Sequence, residues 1–431
     1  MVGVKETLEI TNFLSIKKAN WHITDFNILT GEMATGKSLC LKLLKFFEDI
    51  IPDILSSSYN RFVKWLDIKN LFSDLSENFT TLFSLERTDD LKPQFNIVFT
   101  VEGENDIFKM TVSGTNKNDI VIKCDFLKNL LPEWKRKMSQ DKYLSLDNIY
   151  STSRFSELKQ IFSHELLEKF NFYFPSKTIF IPASRAAILS SSHITDSYLK
   201  SFNYLLKFLP MYRDTQLNIK DEITAILKGN IKIKEENYYL ESDDGRSVHL
   251  DKGSSGQQEI ATFLLLLNKI GQFGYSSCRD IAITIEEMSA HIFPADQKKL
   301  IELIVRIYRH FKISIRPKTP IRFFMTIHSP LVLDCLNNMF RTWELIRNHT
   351  GNRNIIEREI RIPPLNPEEV SAIFMNSEGK MENLMIKSRK ILKLNVHKLT
   401  YVYDDVKKDA KTIKMLSESL NKLSPADTKK P

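Results

Sequence analysis

The chain has 431 residues, 42% of them hydrophobic and 26% charged, and this composition excludes a disordered or fibrous protein. The longest apolar run, around Ala261–Leu267, is less than half of the ~18 residues that span a bilayer, so we expect no membrane contact. The first eight residues hold no apolar stretch, and the four cysteines are isolated, so we expect no secretory signal and a cytoplasmic location.

The first motif along the chain predicts a phosphate-binding loop. Gly31–Ser38 fits G-x-x-x-x-G-K-[ST], after an apolar run, Phe26–Leu29, that predicts a buried strand and before a run with the apolar spacing of a helix. In this setting Lys37 would reach the β- and γ-phosphates of ATP, and the Ser38 hydroxyl would be a ligand of Mg²⁺. The predicted nucleotide contacts are Gly31, Glu32, Met33, Ala34, Thr35, Gly36, Lys37, Ser38 and Leu39.

The segments after this helix predict an antiparallel sheet followed by a helical insertion. Strand patterning occurs at Leu82–Leu85, Phe95–Val101, Phe108–Val112 and Asp119–Lys123. From residue 126 to 177 the pattern is helical, which we interpret as an insertion or lid. Its patch Trp134–Lys137 is compatible with two interpretations, a solvated helix face or a single-stranded nucleic-acid contact.

A second glycine-containing segment precedes an apolar helical stripe. Ser197–Leu209 and Leu217–Leu227 predict helices, and Tyr238–Glu241 with Arg246–Leu250 predicts a hairpin that leads into this segment. Ser254 with Gln257, or Ser255 with Gln258, has the form of a capping box, so a well-capped helix is one interpretation. The other is a second phosphate-binding surface. Since the chain already has one phosphate loop, such a surface would serve the nucleotide of an opposite subunit. Its predicted contacts are Ser254, Ser255, Gly256 and Gln257.

Two further apolar runs end in polar residues and predict the catalytic edge of a parallel sheet. Ile281–Ile285 is followed by Glu286 and Glu287, and Phe323–Ile327 by His328. Ligands bind beyond the carboxyl ends of parallel strands, which places these side chains near the phosphate loop. We expect Glu286 to hold Mg²⁺, Glu287 to deprotonate the attacking water, and His328 to contact the γ-phosphate or that water.

The C-terminal region predicts helices and carries most of the positive charge. Helical patterning occurs at Glu368–Met375, Ile386–Leu394 and Tyr401–Leu423. Residues 380–431 hold 13 Lys+Arg against 6 Asp+Glu, a net +7 of the +8 total. Clustered positive charge is compatible with a contact to nucleic acid or to an acidic partner, or with a solvated helix and tail.

Taken in order, these motifs resemble the ATP-binding cassette superfamily, in its SMC/RecF and OLD-type branches. Ser254–Gln258 resembles the LSGGQ signature, Ile285–Pro294 the IEEPEAHLHP segment, and Thr326–Pro330 the TTHSP segment with its switch histidine. Ile179–Arg185 resembles an IPAxR strand of the same group.

The resemblance implies a fold class and an arrangement of domains. It implies an α/β phosphate-loop ATPase head with a mostly parallel central sheet, an antiparallel β subdomain, a helical insertion and a helical C-terminus. The corresponding division of the chain is an N-terminal ATPase lobe at 1–125, the insertion at 126–177, a C-terminal ATPase lobe at 178–375 and a basic helical segment at 376–431. The roles of Arg185 and His291 stay open.

The resemblance also implies a function. It implies a homodimer or higher homo-oligomer that encloses ATP and Mg²⁺ between the loop of one subunit and Ser254–Gln258 of the other. Such ATPases resemble the sensor or scaffold subunits of prokaryotic anti-phage systems of the Septu or PARIS type, which would make a separate effector, a nuclease, the partner here. The alternatives are a RecF/SMC-like DNA-binding ATPase of repair or chromosome maintenance, and a binding module with slow turnover.

Overall fold

A computed structural model describes most of the chain. The described residues are 5–85, 94–103, 106–114, 119–140, 151–170, 177–183, 185, 220–234, 237–242, 244–272, 281–314, 321–388, 391–400, 411 and 415. The predicted helices at Ser197–Leu209 and Tyr401–Leu423 fall outside these ranges, except for two residues of the second.

A mostly parallel sheet forms the centre of the molecule. In spatial order its strands are β14 (Met381–Asn383), β13 (Val370–Met375), β3 (Phe26–Gly31), β12 (Ile321–Thr326), β11 (Ile281–Ile285) and β7 (Lys177–Ile181). All pairs are parallel except β13 with the edge strand β14. Every residue of β3, β11, β12 and β13 is buried, as expected for strands that are covered on both faces.

The second large sheet is antiparallel and has five strands. In spatial order these are β2 (Ile16–Ile23), β1 (Lys5–Phe13), β4 (Phe95–Glu102), β5 (Ile107–Gly114) and β6 (Val121–Cys124). A three-stranded sheet contains β8 (Asn230–Lys234), β9 (Asn237–Glu241) and β10 (Ser247–His249), and a hairpin pairs β15 (Met385–Ser388) with β16 (Ile391–Leu394).

The helices divide between the two faces of the parallel sheet. The described helices are α1 (Lys37–Ser56), α2 (Tyr59–Trp65), α3 (Ile68–Leu82), α4 (Asp125–Gln140), α5 (Ser151–Phe170), α6 (Lys220–Leu227), α7 (Ser255–Gln272), α8 (Pro294–Ser314), α9 (Pro330–Asn348) and α10 (Arg353–Ile360). Successive strand residues point to opposite faces, so Phe324 packs in the core with α1 to α5 and the antiparallel sheet, whereas Phe323 packs with α6 to α9. None of the described helices is long and apolar enough to cross a bilayer.

Several predicted elements are confirmed. The predicted strands Phe95–Val101, Phe108–Val112 and Asp119–Lys123 correspond to β4, β5 and β6. The helical insertion contains α4 and α5, and the predicted hairpin before the second glycine segment corresponds to β9 and β10. The described part of Leu217–Leu227 is helical, as α6.

Three predicted elements are wrong. Leu82 is the last residue of α3, so Leu82–Leu85 is not a strand. Glu368–Met375 is not a helix, because Val370–Met375 pairs with β3 as an inner strand. Ile386–Leu394 is not a helix either, because its two halves pair as the β15–β16 hairpin. The segment 376–431 therefore begins with strands, not helices.

Of the two interpretations of the Trp134–Lys137 patch, a single-stranded nucleic-acid contact through the Trp134 ring is not supported. Its ring is fully buried and stacks on Phe162, with 4.4 Å between ring centroids, and on Phe62 in α2. A base has no access to a ring in this position. The two insertion helices pack into the same hydrophobic core as α2.

Candidate functional site

The glycine-containing loop connects β3 to α1, as the motif predicts. Gly36 precedes α1 with a φ of 98°, in the left-handed region that favours glycine, and a Cβ there would lie 2.6 Å from the Ile16 side chain. Among the described residues no side chain caps α1. The amide groups of its first turn are therefore available to an anion.

Lys37 lies folded into the loop that it follows. Its Nζ donates to the carbonyl oxygen of Gly31 at 3.1 Å, and to that of Glu32, while the Thr35 hydroxyl lies 3.5 Å away. Burial lowers the pKa of the Lys37 ammonium, and the negative charge of Glu287 opposes this shift. The loop thus curls around a buried positive charge, which suits a phosphate group.

The acidic pair follows β11 at the same edge of the sheet, but its two carboxylates occupy different surroundings. Glu286 is buried, and its carboxylate accepts a hydrogen bond from the Ala183 amide at 3.3 Å. Glu287 has a φ of 47°, and its amide donates to the Thr326 hydroxyl at 2.7 Å. Thr326 ends β12, so the neighbouring strand fixes the turn that carries Glu287.

One cavity of about 680 Å³ brings most of the predicted site together. Its lining residues are Ser15, Met33, Ala34, Thr35, Gly36, Lys37, Ser38, Leu39, Glu287, Ser289, Ala290, Gln297, His328 and Ser329. The cavity therefore combines the loop with the predicted base and the predicted histidine. Gly31, Glu32 and Glu286 are not among the lining residues in the described part of the chain.

His328 follows β12 and faces the charges of the loop. Burial lowers the pKa of its imidazole, and the positive charge of Lys37 lowers it further, against the opposing effect of Glu287. The lowered pKa favours the neutral ring at pH 7, which has one N–H donor and one nitrogen lone pair. A neutral imidazole here can orient a water molecule or a phosphate oxygen by hydrogen bonding.

The second glycine segment forms a capped helix start. The Ser254 amide donates to the Gln257 side-chain oxygen at 3.1 Å, and the Gln257 amide donates to the Ser254 hydroxyl at 3.3 Å, which confirms the capping box. Ser254 and Ser255 are exposed. Ser254–Gln257 does not contribute to the lining of the 680 Å³ cavity in the described ranges.

A buried arginine connects the start of α7 to the acidic turn. Arg185 is fully buried and donates to the backbone carbonyl oxygens of Glu286 at 3.0 Å and Glu287 at 3.2 Å. Its Nη2 also lies 3.6 Å from the carboxylate of Glu259 in α7, and that carboxylate lies 4.0 Å from His291. Arg185 is thus part of an ion pair and also holds the backbone of the predicted catalytic turn.

Sequence reasoning missed five residues of this region. Ser15, Gln297 and Ser329 line the cavity, and Thr326 and Glu259 position the acidic turn. Thr326 and Ser329 both lie in the Thr326–Pro330 segment around His328, so that segment carried a signal for them. Ser15, Glu259 and Gln297 carried none, since their positions depend on how distant segments pack.

Comparisons with known proteins give weak structural similarity. No protein-family model and no curated protein matches the chain. An SMC head domain from Thermotoga maritima has 10% sequence identity and a TM-score of 0.37, with 89% of this chain and 99% of that chain covered. The Pyrococcus furiosus Smc head domain bound to the C-terminal domain of ScpA has 10% identity, 94% and 99% coverage, and a TM-score of 0.36. The recombination mediator protein RecF has 12% identity, 89% and 98% coverage, and a TM-score of 0.30. Similarity at this level decides neither fold nor function.

Proposed function

We propose that the protein binds and hydrolyses ATP, with Mg²⁺, at the cavity between β3, β11 and β12. The observation that carries the proposal is the shared lining of this cavity by Lys37, Ser38, Glu287 and His328. An uncapped helix start, a lysine enclosed by loop carbonyls and a facing carboxylate form the set of groups that phosphoryl transfer to water requires.

Each of these residues has a distinct chemical task in the proposal. Lys37 and the first amides of α1 bind the phosphates of ATP, and Ser38 and Glu286 are the proposed ligands of Mg²⁺, which neutralises phosphate charge. The Glu287 carboxylate accepts the proton of the attacking water, and the neutral His328 ring orients that water or a phosphate oxygen. Since the Glu286 carboxylate lies outside the cavity lining, its contact with the ion is proposed through a water molecule.

The proposed active unit is a homodimer or higher homo-oligomer. Met33 lines the cavity and is 88% exposed, and Phe293, shortly after the acidic turn, is 71% exposed. Large apolar side chains that are exposed to this degree favour cover by another protein surface. Ser254–Gln257 lies on the same chain but outside the cavity, which supports its use on the nucleotide of the opposite subunit.

The test of this proposal separates binding from hydrolysis. Glu287→Gln keeps the size of the side chain but removes the base, so we expect ATP binding at wild-type affinity with turnover reduced ~100-fold or more. Glu77→Gln, at an exposed position of α3, is the matched control. Wild-type turnover in Glu287→Gln would contradict the assignment of the base.

The cellular role proposed for this ATPase is that of a sensor or scaffold for a separate effector, a nuclease, in anti-phage defence. This role rests on the sequence resemblance alone. Native mass measured on Glu287→Gln from its own host, with and without ATP and Mg²⁺, tests it. An ATP-dependent oligomer that contains a nuclease polypeptide supports the role, and a monomer indifferent to ATP contradicts the composite site.

The second candidate is a RecF/SMC-like ATPase that binds DNA. The net charge of +7 in residues 380–431 favours it, because clustered Lys and Arg release phosphate counterions. ATP-dependent duplex binding that weakens steeply with salt, and that is lost when the Lys and Arg residues of 380–431 are replaced by Gln, would support this candidate. An ATP-dependent oligomer that binds no duplex would argue against it.

A further inference from the structure

A second cavity lies at the opposite edge of the parallel sheet from the phosphate loop. It has a volume of about 460 Å³, within the ~300–1,000 Å³ range of small-molecule sites, and is bounded by α8, α9, α10 and the segment 364–369. Lys312 in its wall pairs with Asp25 at 2.9 Å and with Glu369 at 2.7 Å. Asp25 and Glu369 directly precede β3 and β13, whereas the phosphate loop follows β3. The two cavities share no described lining residue.

The wall formed by α8, α9 and α10 has an excess of positive charge. Arg309 and Arg353 both contact one carboxylate oxygen of Glu357, at 3.4 and 3.2 Å. Burial lowers the pKa of the Arg309 guanidinium, and the nearby charge of Arg353 contributes to the shift. Within the described ranges no carboxylate contacts Arg347. Three guanidinium groups thus line this side of the cavity with one carboxylate between them.

The same cavity offers an aromatic and apolar wall beside the charges. Trp343 lines it together with Ile346 and Leu365, and the guanidinium carbon of Arg347 lies 4.9 Å from the centroid of the Trp343 ring. Indole and guanidinium planes are surfaces on which a nucleobase stacks, and guanidinium groups bind phosphate oxygens in pairs. Asn366 and Thr350 add neutral hydrogen-bonding groups.

We infer that this cavity is a second ligand site, which binds a nucleoside monophosphate unit independently of the phosphate loop. The planar base packs against Trp343 and the apolar wall, and the phosphate is bound by Arg347, Arg353 and Arg309. Either a free nucleotide or the 5′-terminal nucleotide of a nucleic-acid strand carries this combination of base and phosphate. Arg309 and Arg353 share the carboxylate of Glu357. The bound phosphate replaces part of this contact, and its negative charge neutralises the excess positive charge of the wall.

The experiment uses the full chain with Lys37→Ala, which removes the lysine of the phosphate loop. Calorimetric titration with AMP, adenosine and inorganic phosphate separates the contributions of base and phosphate. We expect saturable binding of AMP and affinities roughly tenfold or more weaker for adenosine and phosphate, because each lacks one set of contacts. Adenosine binding as tightly as AMP, or no saturable binding of AMP or of a 5′-phosphorylated oligonucleotide, would overturn the inference.

Exposed arginines make variants that are expected to fold. Arg347→Gln and Arg353→Gln, each added to Lys37→Ala, are expected to weaken AMP binding roughly tenfold. Arg358→Gln is the matched control, because Arg358 lies on α10 with Arg353, is exposed and contacts Glu359 outside the cavity. Binding that is insensitive to Arg347→Gln and Arg353→Gln would place AMP elsewhere and overturn the inference. If the 5′-phosphorylated oligonucleotide binds more tightly than AMP and responds to the same variants, a strand end is the ligand. If AMP binds more tightly than the oligonucleotide, a free nucleotide is the ligand.

Discussion

The guanidinium of Arg185 donates a hydrogen bond of 3.2 Å to the backbone carbonyl oxygen of Glu287. The same guanidinium lies beside Glu259 of α7, so one buried charge joins the capped helix to the turn that carries the proposed base. Burial lowers the pKa of Arg185, and the negative charges of Glu259, Glu287 and Glu286 oppose this. Arg185 is therefore a positioning residue. The Glu259 carboxylate holds its guanidinium, which in turn orients the backbone of Glu286 and Glu287.

Arg185→Met is expected to reduce ATP turnover at least ~10-fold while ATP binding is retained, since the turn loses two hydrogen bonds to its backbone. The variant also leaves Glu259 buried without its partner, which costs roughly 3–5 kcal/mol of the free energy of unfolding. Adding Glu259→Gln should recover stability but not turnover. Urea denaturation and steady-state ATPase assays measure the two effects.

The control for this prediction is Arg246→Met, because Arg246 is exposed and pairs only with Asp244 among the described residues. A purely structural role for Arg185 would make turnover recover together with stability in the double variant. That result would contradict positioning. Wild-type turnover in Arg185→Met would do so as well.

The sequence predicted the glycine-containing loop between β3 and α1 and the polar residues that follow β11 and β12, because these features depend on consecutive residues. A loop that encloses a lysine requires its glycines at fixed spacing, and a buried strand followed by polar residues is recognisable locally. Arg185 and Glu259 are 74 positions apart, and their contact arises only when α7 packs against the sheet. No local pattern indicates such a contact.

The two segments that were wrongly predicted as helices, Glu368–Met375 and Ile386–Leu394, also have a physical explanation. Val370–Met375 is buried on both faces, so it lacks the alternation that marks a half-exposed strand, and a short apolar run does not distinguish helix from strand. The Ile386–Leu394 run is divided into two short strands that form a hairpin packed beside α9, where Asn337 bonds to the backbone of Leu394. This pairing depends on tertiary contact, not on local periodicity.

Gly256→Ala is expected to disturb the docking of α7 against the acidic turn. A Cβ at Gly256 would lie 2.8 Å from the carbonyl oxygen of His291, which is backbone and cannot rotate away. We expect turnover to fall several-fold more than ATP affinity, because the displaced loop also carries Glu287. Gly351→Ala is the control, since a Cβ there would meet nothing within 4 Å. Equal turnover in the two variants would contradict the close packing.

Mixing two inactive variants tests whether the ATP site is shared between subunits. Lys37→Ala is expected to abolish ATP binding at its own loop, and Ser254→Arg to block the partner's nucleotide while its own loop stays intact. A mixed dimer then holds one undamaged site, so we expect turnover to rise to about one quarter of the wild-type rate in an equimolar mixture that exchanges freely. A mixture as inactive as its parents would favour a site complete within one chain.

The buried carboxylates around Arg322 predict a pH dependence of stability. Arg322 in β12 lies 2.5 Å from Glu6 in β1 and 3.1 Å from Glu48 in α1, so the triad joins both sheets. Burial raises the pKa of the Glu48 carboxyl to about 8, with the charge of Arg322 opposing the shift. Burial raises the pKa of Glu6 as well. One arginine thus faces two carboxyl groups, and the raised pKa predicts that the folded state retains a proton on Glu48 at neutral pH.

The sign of the effect follows from proton binding in the two states. In the unfolded chain the Glu48 carboxyl loses its proton near its ordinary value of 4.5, so between about pH 4.5 and 8 the folded state binds the extra proton. The free energy of unfolding should therefore fall as pH rises through this window, by at most about 1.4 kcal/mol per pH unit.

Glu48→Gln has a neutral side chain in both states, so its free energy of unfolding should fall less steeply with pH. Glu77→Gln, at an exposed position, should follow the wild type. Urea denaturation between pH 5 and 9 measures the three curves, and parallel curves for wild type and Glu48→Gln would show that Glu48 is ionised in the folded protein.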